Sequence, residues 1–269
     1  MRRLFLPVFS AVLAFAPVAW GQDSRLTTLA TGDDSRGWEA VGRLNVAGKG
    51  FCTGALIAPN LVLTAAHCLF DKATGARIDQ SEIEFLAGWR NGRASAYRWV
   101  KRSVIHPDYN YGGPKDAARV RNDVALLELH HPIRNGSIHP FKTQESTHSG
   151  QRIGVVSYAH DRSEAPSLQH LCDVMARQNG LLITSCDVDF GSSGAPMFSF
   201  DGEAPQIVSV VSAKAEVGGK KVSLGTDLSG PLARLMAEYE AGGGEFTRAA
   251  PEMSRAGLRR DTGAKFAKP

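Results

Sequence analysis

The sequence predicts an all-β protein with one short helix near its C-terminal end. From Trp38 to Asp227 the chain is a series of short apolar runs broken by Gly, Pro, Asn and Asp, the pattern of a sandwich or barrel built from many short strands. Apolar residues make up 43% and charged residues 22% of the 269, ordinary globular usage that excludes collagen-like, disordered and disulfide-dense miniprotein classes. The four cysteines are too few to stabilise a chain of this length, so they act as staples on a core that must hold by itself.

Residues 1–21 have the three parts of a secretory signal: Arg2 and Arg3, the apolar stretch Leu4 to Ala19, and small Ala19 and Gly21 before Gln22. That stretch contains Pro7 and Pro17 and is short for the roughly 20 residues that span a bilayer. Cleavage is therefore expected, with no stable membrane insertion afterwards, and a secreted or periplasmic location where disulfides persist. Residues 22–37 are polar and Gly-rich and read as a loose N-terminal arm or pro-segment.

Strands are expected around Ala55–Ala58, Leu61–Thr64, Ile83–Leu86, Val124–Leu129, Ile153–Tyr158, Leu181–Ile183 and Ile207–Ser212. In Pro231–Glu240, residues Leu232, Leu235, Met236 and Tyr239 recur at helical spacing. Ser229 is the expected N-cap, and Gly242 to Gly244 ends the helix. Residues 241–269 are rich in charge and read as a mobile basic tail. Net charge is +4 over the whole chain. Residues 22–240 carry 23 Lys and Arg against 24 Asp and Glu. A folded body near neutrality argues against a nucleic-acid partner.

Three segments carry chemistry. In the first, an apolar hairpin pattern with Cys52 runs into Thr64, Ala65, Ala66, His67 and Cys68. In the second, Asn122 and Asp123 lead the apolar run Val124 to Leu129, so the aspartate sits at a core edge where it could orient an imidazole. In the third, Gly191 and Gly194 bracket Ser192 and Ser193, and Pro196 closes the turn. A turn of this kind can expose a hydroxyl and aim the N–H groups of Gly191 and Ser193 at one spot, as an oxyanion requires. Each segment alone suits a structural role. Together they supply a nucleophile, a base and a group that holds the base, in the order His67, Asp123, Ser193. That is the chymotrypsin order, distinct from those of subtilisin and the α/β-hydrolases.

On these residues the chain resembles the trypsin/chymotrypsin-like serine proteases, from about Trp38 to Glu240. The resemblance implies two six-stranded antiparallel β-barrels (a chymotrypsin-like domain, residues 38–240). His67 and Asp123 would come from the first barrel and Ser193 from the second. It also implies a polypeptide substrate and an acyl-enzyme; no cofactor and no metal ligand are assigned, no calcium motif stands out although the fold allows a structural calcium site, and a monomer is expected. The alternative is a catalytically silent binding protein on the same fold. Two departures stand out. Ser192 replaces the acidic residue that pairs with a new N-terminus in the activated digestive enzymes, so activation by N-terminal insertion is not expected. The run from Cys172 through Cys186 and Asp187 to Ser193 is closer to secreted bacterial enzymes, including the glutamyl-endopeptidase branch. Four cysteines allow three pairings, and the resemblance selects Cys52–Cys68 and Cys172–Cys186. It also makes Asp187, Ser212 and Lys214 candidate substrate-binding residues, with Ser212 supporting Asp123. Lys214 would attract an acidic side chain or narrow the pocket. Val211 stands where the glutamyl branch has a histidine, which counts against strict glutamyl specificity. The remaining histidines show no metal-site spacing.

Overall fold

The computed structural model of the protein describes residues 26–144 and 147–247. The signal segment 1–21 and the tail beyond residue 247 lie outside the described residues. A short strand, β1 (Leu26–Thr28), comes first. The first barrel is built from β2 (Val41–Val46), β3 (Gly50–Ala58), β4 (Leu61–Thr64), β5 (Ile83–Ala87), β6 (Ala96–Ile105) and β7 (Ala125–Leu129). A single-turn helix, α1 (Ala117–Arg121), lies between the last two. The antiparallel ladder runs β6-β5-β2-β3-β4-β7 and closes where β6 pairs with β7. After β8 (Lys142–Thr143), the second barrel uses β9 (Arg152–Ala159), β10 (Arg162–Gln178), β11 (Leu181–Thr184), β12 (Pro196–Ser199), β13 (Gln206–Val217) and β14 (Lys220–Asp227). Its ladder runs β10-β11-β14-β13-β12-β9 and closes between β9 and β10. Closure pairs every strand of both six-stranded sheets with two neighbours over at least part of its length, which is how small all-β domains limit edge-to-edge pairing.

Burial explains the strand sequences. All of β4 is buried, and β7 alternates only weakly, with Glu128 as its one partly exposed residue. Strands that face a barrel interior on one side and packed structure on the other read as continuous apolar runs, and these were the runs visible in the sequence. The long β10 was not visible. Its seventeen residues mix polar and apolar types, and its register shifts three times. Bulges let one strand bend round a barrel corner and pair with two neighbours, at the cost of the regular alternation that would have announced it. Trp38, Phe141 and Phe198 form an aromatic group where the barrels meet, with ring centroids 4.7 to 5.9 Å apart. Edge-on contacts of this kind add to the area they bury.

The chain ends depart from expectation. In the described part of the segment read as a loose arm, residues 26–37, β1 pairs with Ser167–Gln169 of β10, and Leu29 is buried. The tail starts as structure too, because β15 (Glu245–Phe246) pairs with Arg102 and Ser103 of β6. Helix α2 spans Pro231–Glu240 as its periodicity predicts, but Gly230 is its N-cap and no side chain caps it. Ser229 instead accepts a hydrogen bond from Arg177 and donates its backbone N–H to Asp227. Proline at the first helical position loses nothing, since that N–H has no helical partner anyway. Leu232 and Leu235 of α2 are buried in the same core as the first barrel.

Candidate active site

His67 lies in a one-turn 3₁₀ segment, Ala66–Leu69, directly after β4. The Cys52–Cys68 disulfide ties that turn to β3. Asp123 sits just before β7, the strand paired with β4, so sheet register alone brings it beside the histidine. One carboxylate oxygen of Asp123 accepts the backbone N–H of His67 at 2.8 Å, and the other accepts from ring Nδ1 at 2.6 Å. A carboxylate only accepts, so Nδ1 carries a proton, and in the neutral imidazole Nε2 then has the free lone pair. Ser212 Oγ, on β13, donates a short hydrogen bond to the same oxygen of Asp123. Asp123 is buried, and these three donors stabilise its charge there.

Ser193 approaches from the second barrel and lines two cavities together with His67. Among the described residues no hydrogen bond joins the Ser193 hydroxyl to the ring, and contacts of this type tighten when substrate is bound. The turn that carries Ser193 is tightly specified. Gly191 has φ +99° and Gly194 φ +79°, values that favour glycine. A Cβ on Gly194 would fall 2.2 Å from Thr64 Oγ1 and 2.3 Å from the Thr53 carbonyl, and one on Gly191 would strike the Phe51 ring. The carbonyl of Phe190 accepts from His160 N–H, and that of Ser192 accepts from Ala195 N–H. Trans peptides point N–H opposite to C=O. The Gly191 amide is therefore turned away from His160 and the Ser193 amide away from Ala195.

Cysteine pairing is as the resemblance implied, Cys52–Cys68 and Cys172–Cys186. Cys52, His67 and Cys68 come close enough together to suggest a metal cluster, but both sulfurs are spent in one disulfide and cannot serve as thiolates.

The cleft beside Ser193 divides into several cavities. One of about 270 Å³ is lined by Val188, Asp189, Phe190, Val211 to Lys214 and both His67 and Ser193. Lys214 lines it as expected, but its ammonium is already engaged by Asp189 at 2.6 Å and lies 4.3 Å from the Phe190 ring centroid. The Lys214 hydrogen bond holds the Asp189 carboxyl below its ordinary range. Asp187 is exposed and lines an adjoining cavity of about 480 Å³ that reaches neither His67 nor Ser193. Asp189 and Phe190 were missed in the sequence, where nothing marks two exposed residues before a glycine as cleft walls. On the other side of His67, a cavity of about 240 Å³ runs along Phe51, the Cys52–Cys68 bridge, Phe70 and Ile78.

Comparison with known proteins agrees with this geometry. The family model described as Trypsin matches residues 31–229. Serine protease 23 of Mus musculus is 30% identical over 201 residues, covering 61% of this chain and 51% of its own. Glutamyl endopeptidase of Bacillus licheniformis is 28% identical over 153 residues, covering 55% of this chain and 45% of its own. The chain thus spans about half the length of these curated relatives. A solved Glu endopeptidase, determined in complex with MPD, superposes with TM-score 0.66 over 82% of this chain and 98% of its own. At 19% identity, that likeness shows the fold. With the family model covering both barrels, the chain belongs to the trypsin family.

Proposed function

We propose that this protein is an exported serine endopeptidase that cleaves polypeptides through an acyl-enzyme. The observation that carries the reading is the Ser212–Asp123–His67 chain of hydrogen bonds ending beside Ser193. Ser193 Oγ attacks the peptide carbonyl while His67 Nε2, unprotonated in the neutral imidazole, takes its proton. The imidazolium is stabilised by the carboxylate and returns the proton to the leaving amine. Water then attacks the ester by the same route in reverse. The amides of Gly191 and Ser193 hold the oxyanion, a contribution of about 3 kcal/mol per donor in comparable sites. The 270 Å³ cavity receives the side chain preceding the scissile bond. The two disulfides support an oxidising, extracytoplasmic setting. No helix among the described residues is long and apolar enough to cross a membrane.

Covalent labelling by a fluorophosphonate, with Ser193→Ala as control, tests the reading. Labelling of the wild type that disappears in the variant is expected. A folded, disulfide-bonded wild type that does not label would overturn it in favour of a silent binding role.

A further inference from the structure

We infer that the cleft selects substrates with acidic residues before the scissile bond, gripped by a cluster of cations along the open edge of β13. The inference rests on the endopeptidase reading and adds a substrate class to it. The body of the protein, residues 22–240, has one more acid than base. Around the cavity of about 600 Å³ that opens beside His67 and Ser212 the balance is reversed, with Lys72, Lys115, Arg119 and Lys214 in its wall. The carboxylates in that wall are occupied. Asp123 is held by His67 and Ser212, and Asp116 accepts the Arg119 backbone N–H at 3.0 Å as the cap of α1. Lys214 is paired with Asp189. Among the described residues, Lys72, Lys115 and Arg119 have no carboxylate within ion-pair distance. Arg119 rests over the Tyr111 ring at 4.9 Å. The ammoniums of Lys72 and Lys214 both lie within 6 Å of the Phe190 ring centroid.

Backbone geometry says how a peptide would reach these charges. Strand β13 pairs with β12 only as far as Val210, while its pairing with β14 continues to Val217. One edge of Ser212–Val217 is therefore unpaired among the described residues, and Ser212 to Ala215 line the cavity. An extended peptide can add to such an edge by main-chain hydrogen bonds, with alternate side chains read by pockets. A peptide so placed, with its reacting carbonyl at Ser193, runs its preceding residues past Lys72, Lys115 and Arg119. Charge complementarity in a partly enclosed cleft raises both encounter rate and selectivity.

The test uses the full-length protein and a pair of internally quenched peptides built on a sequence it cleaves. The pair carries Glu-Glu or Gln-Gln at the second and third residues before the cut and is otherwise identical. At 20 mM salt kcat/KM should favour the acidic peptide by about ten-fold, shrinking to about two-fold at 0.5 M because exposed charges are screened. Lys72→Gln with Lys115→Gln should bring the low-salt ratio down to about two-fold, and the salt series on the wild type gives the same reading without a variant. Equal cleavage at low salt, a ratio indifferent to salt, or a gain only when the glutamates follow the cut would each overturn the inference. So would heparin binding that slows both peptides alike, which would make the patch a polyanion site. Failure of Ser193 labelling is a separate result and removes the endopeptidase reading itself.

Discussion

The hydroxyl of Ser192 donates to the carbonyl oxygen of Tyr158 at 3.2 Å, within a fully buried site that also holds Ser157 Oγ at 3.1 Å. Ser192 Oγ itself accepts Asp189 N–H at 3.3 Å. Ser192, the residue before Ser193, is thus anchored to β9 by neutral hydrogen bonds.

A carboxylate at this position would be buried without a cation. Ser192→Asp is expected to lower the fluorophosphonate labelling rate by about a hundred-fold or more, since an unpaired buried charge costs several kcal/mol. Ser192→Ala should cost only about 1 to 2 kcal/mol of stability and keep measurable labelling. Equal labelling of Ser192→Asp and wild type would show that the turn does not depend on this anchor.

Asp123→Asn replaces a pure acceptor by an amide that can present N–H to His67, and so favours the wrong tautomer. A fall in kcat of about 10⁴ with little change in KM is expected. Ser212→Ala leaves the carboxylate in place and should cost about ten-fold in kcat/KM. Loss of equal size in both variants would mean that Ser212 does more than support Asp123.

Gly194→Ala should abolish labelling and lower Tm, because its Cβ would meet Thr64 Oγ1 and the Thr53 carbonyl below 2.5 Å at a positive φ. A variant with wild-type Tm and activity would show that the two barrels can part at this contact.

Arg102 is buried. It donates to Glu128 at 2.8 Å and to the carbonyls of Tyr239 and Gly243, beneath the Tyr239 ring. Arg102→Met leaves Glu128 only its Lys101 partner, at 2.8 Å, and orphans the carbonyls of Tyr239 and Gly243, so it should cost about 1 to 3 kcal/mol. Urea unfolding checks this, and Arg102→Met with Glu128→Gln should recover part of the loss.

His106 is buried, and burial lowers its pKa below 6.5; Arg234 adds to this and Asp108 partly opposes it. The unfolded chain therefore takes up that proton before the folded one does. The stability contributed by keeping His106 neutral is complete above pH 6.5 and is lost as pH falls below it. Between pH 7.5 and 5.5 the Tm of wild type should fall more steeply than that of His106→Gln, if the glutamine variant folds. Parallel slopes would exclude this group as the cause.

Much of the site was legible because its residues sit where strands end. His67 follows β4, Asp123 precedes β7, and apolar runs announced both strands. Ser193 was marked by its flanking glycines, whose positive φ and close contacts explain why no other residue stands there. One wall of the cleft, Asp189 and Phe190, was not legible, although Ser212 and Lys214 on the facing strand were. Lys214 and Asp189 are 25 residues apart, and their pairing depends on how the β13–β14 hairpin lies against the 187–190 segment. The docked chain ends were hidden for a related reason. Short strands such as β1 and β15 form only because another strand offers them partners, and nothing in their own composition requires it.

Those two strands change what it takes to separate the halves of the molecule. β1 lies at the start of the described chain yet pairs with β10 of the second barrel, while α2 and β15 come after the second barrel and pack on the first. Each half is strapped by a segment belonging to the other half's end of the chain. A single cut in the connection between the barrels would leave two fragments still interlocked, each adding a short strand to the other's closed barrel. A nicked molecule is then expected to migrate as one particle in native gels, to come apart only in denaturant, and to keep His67 and Ser193 in the same cleft.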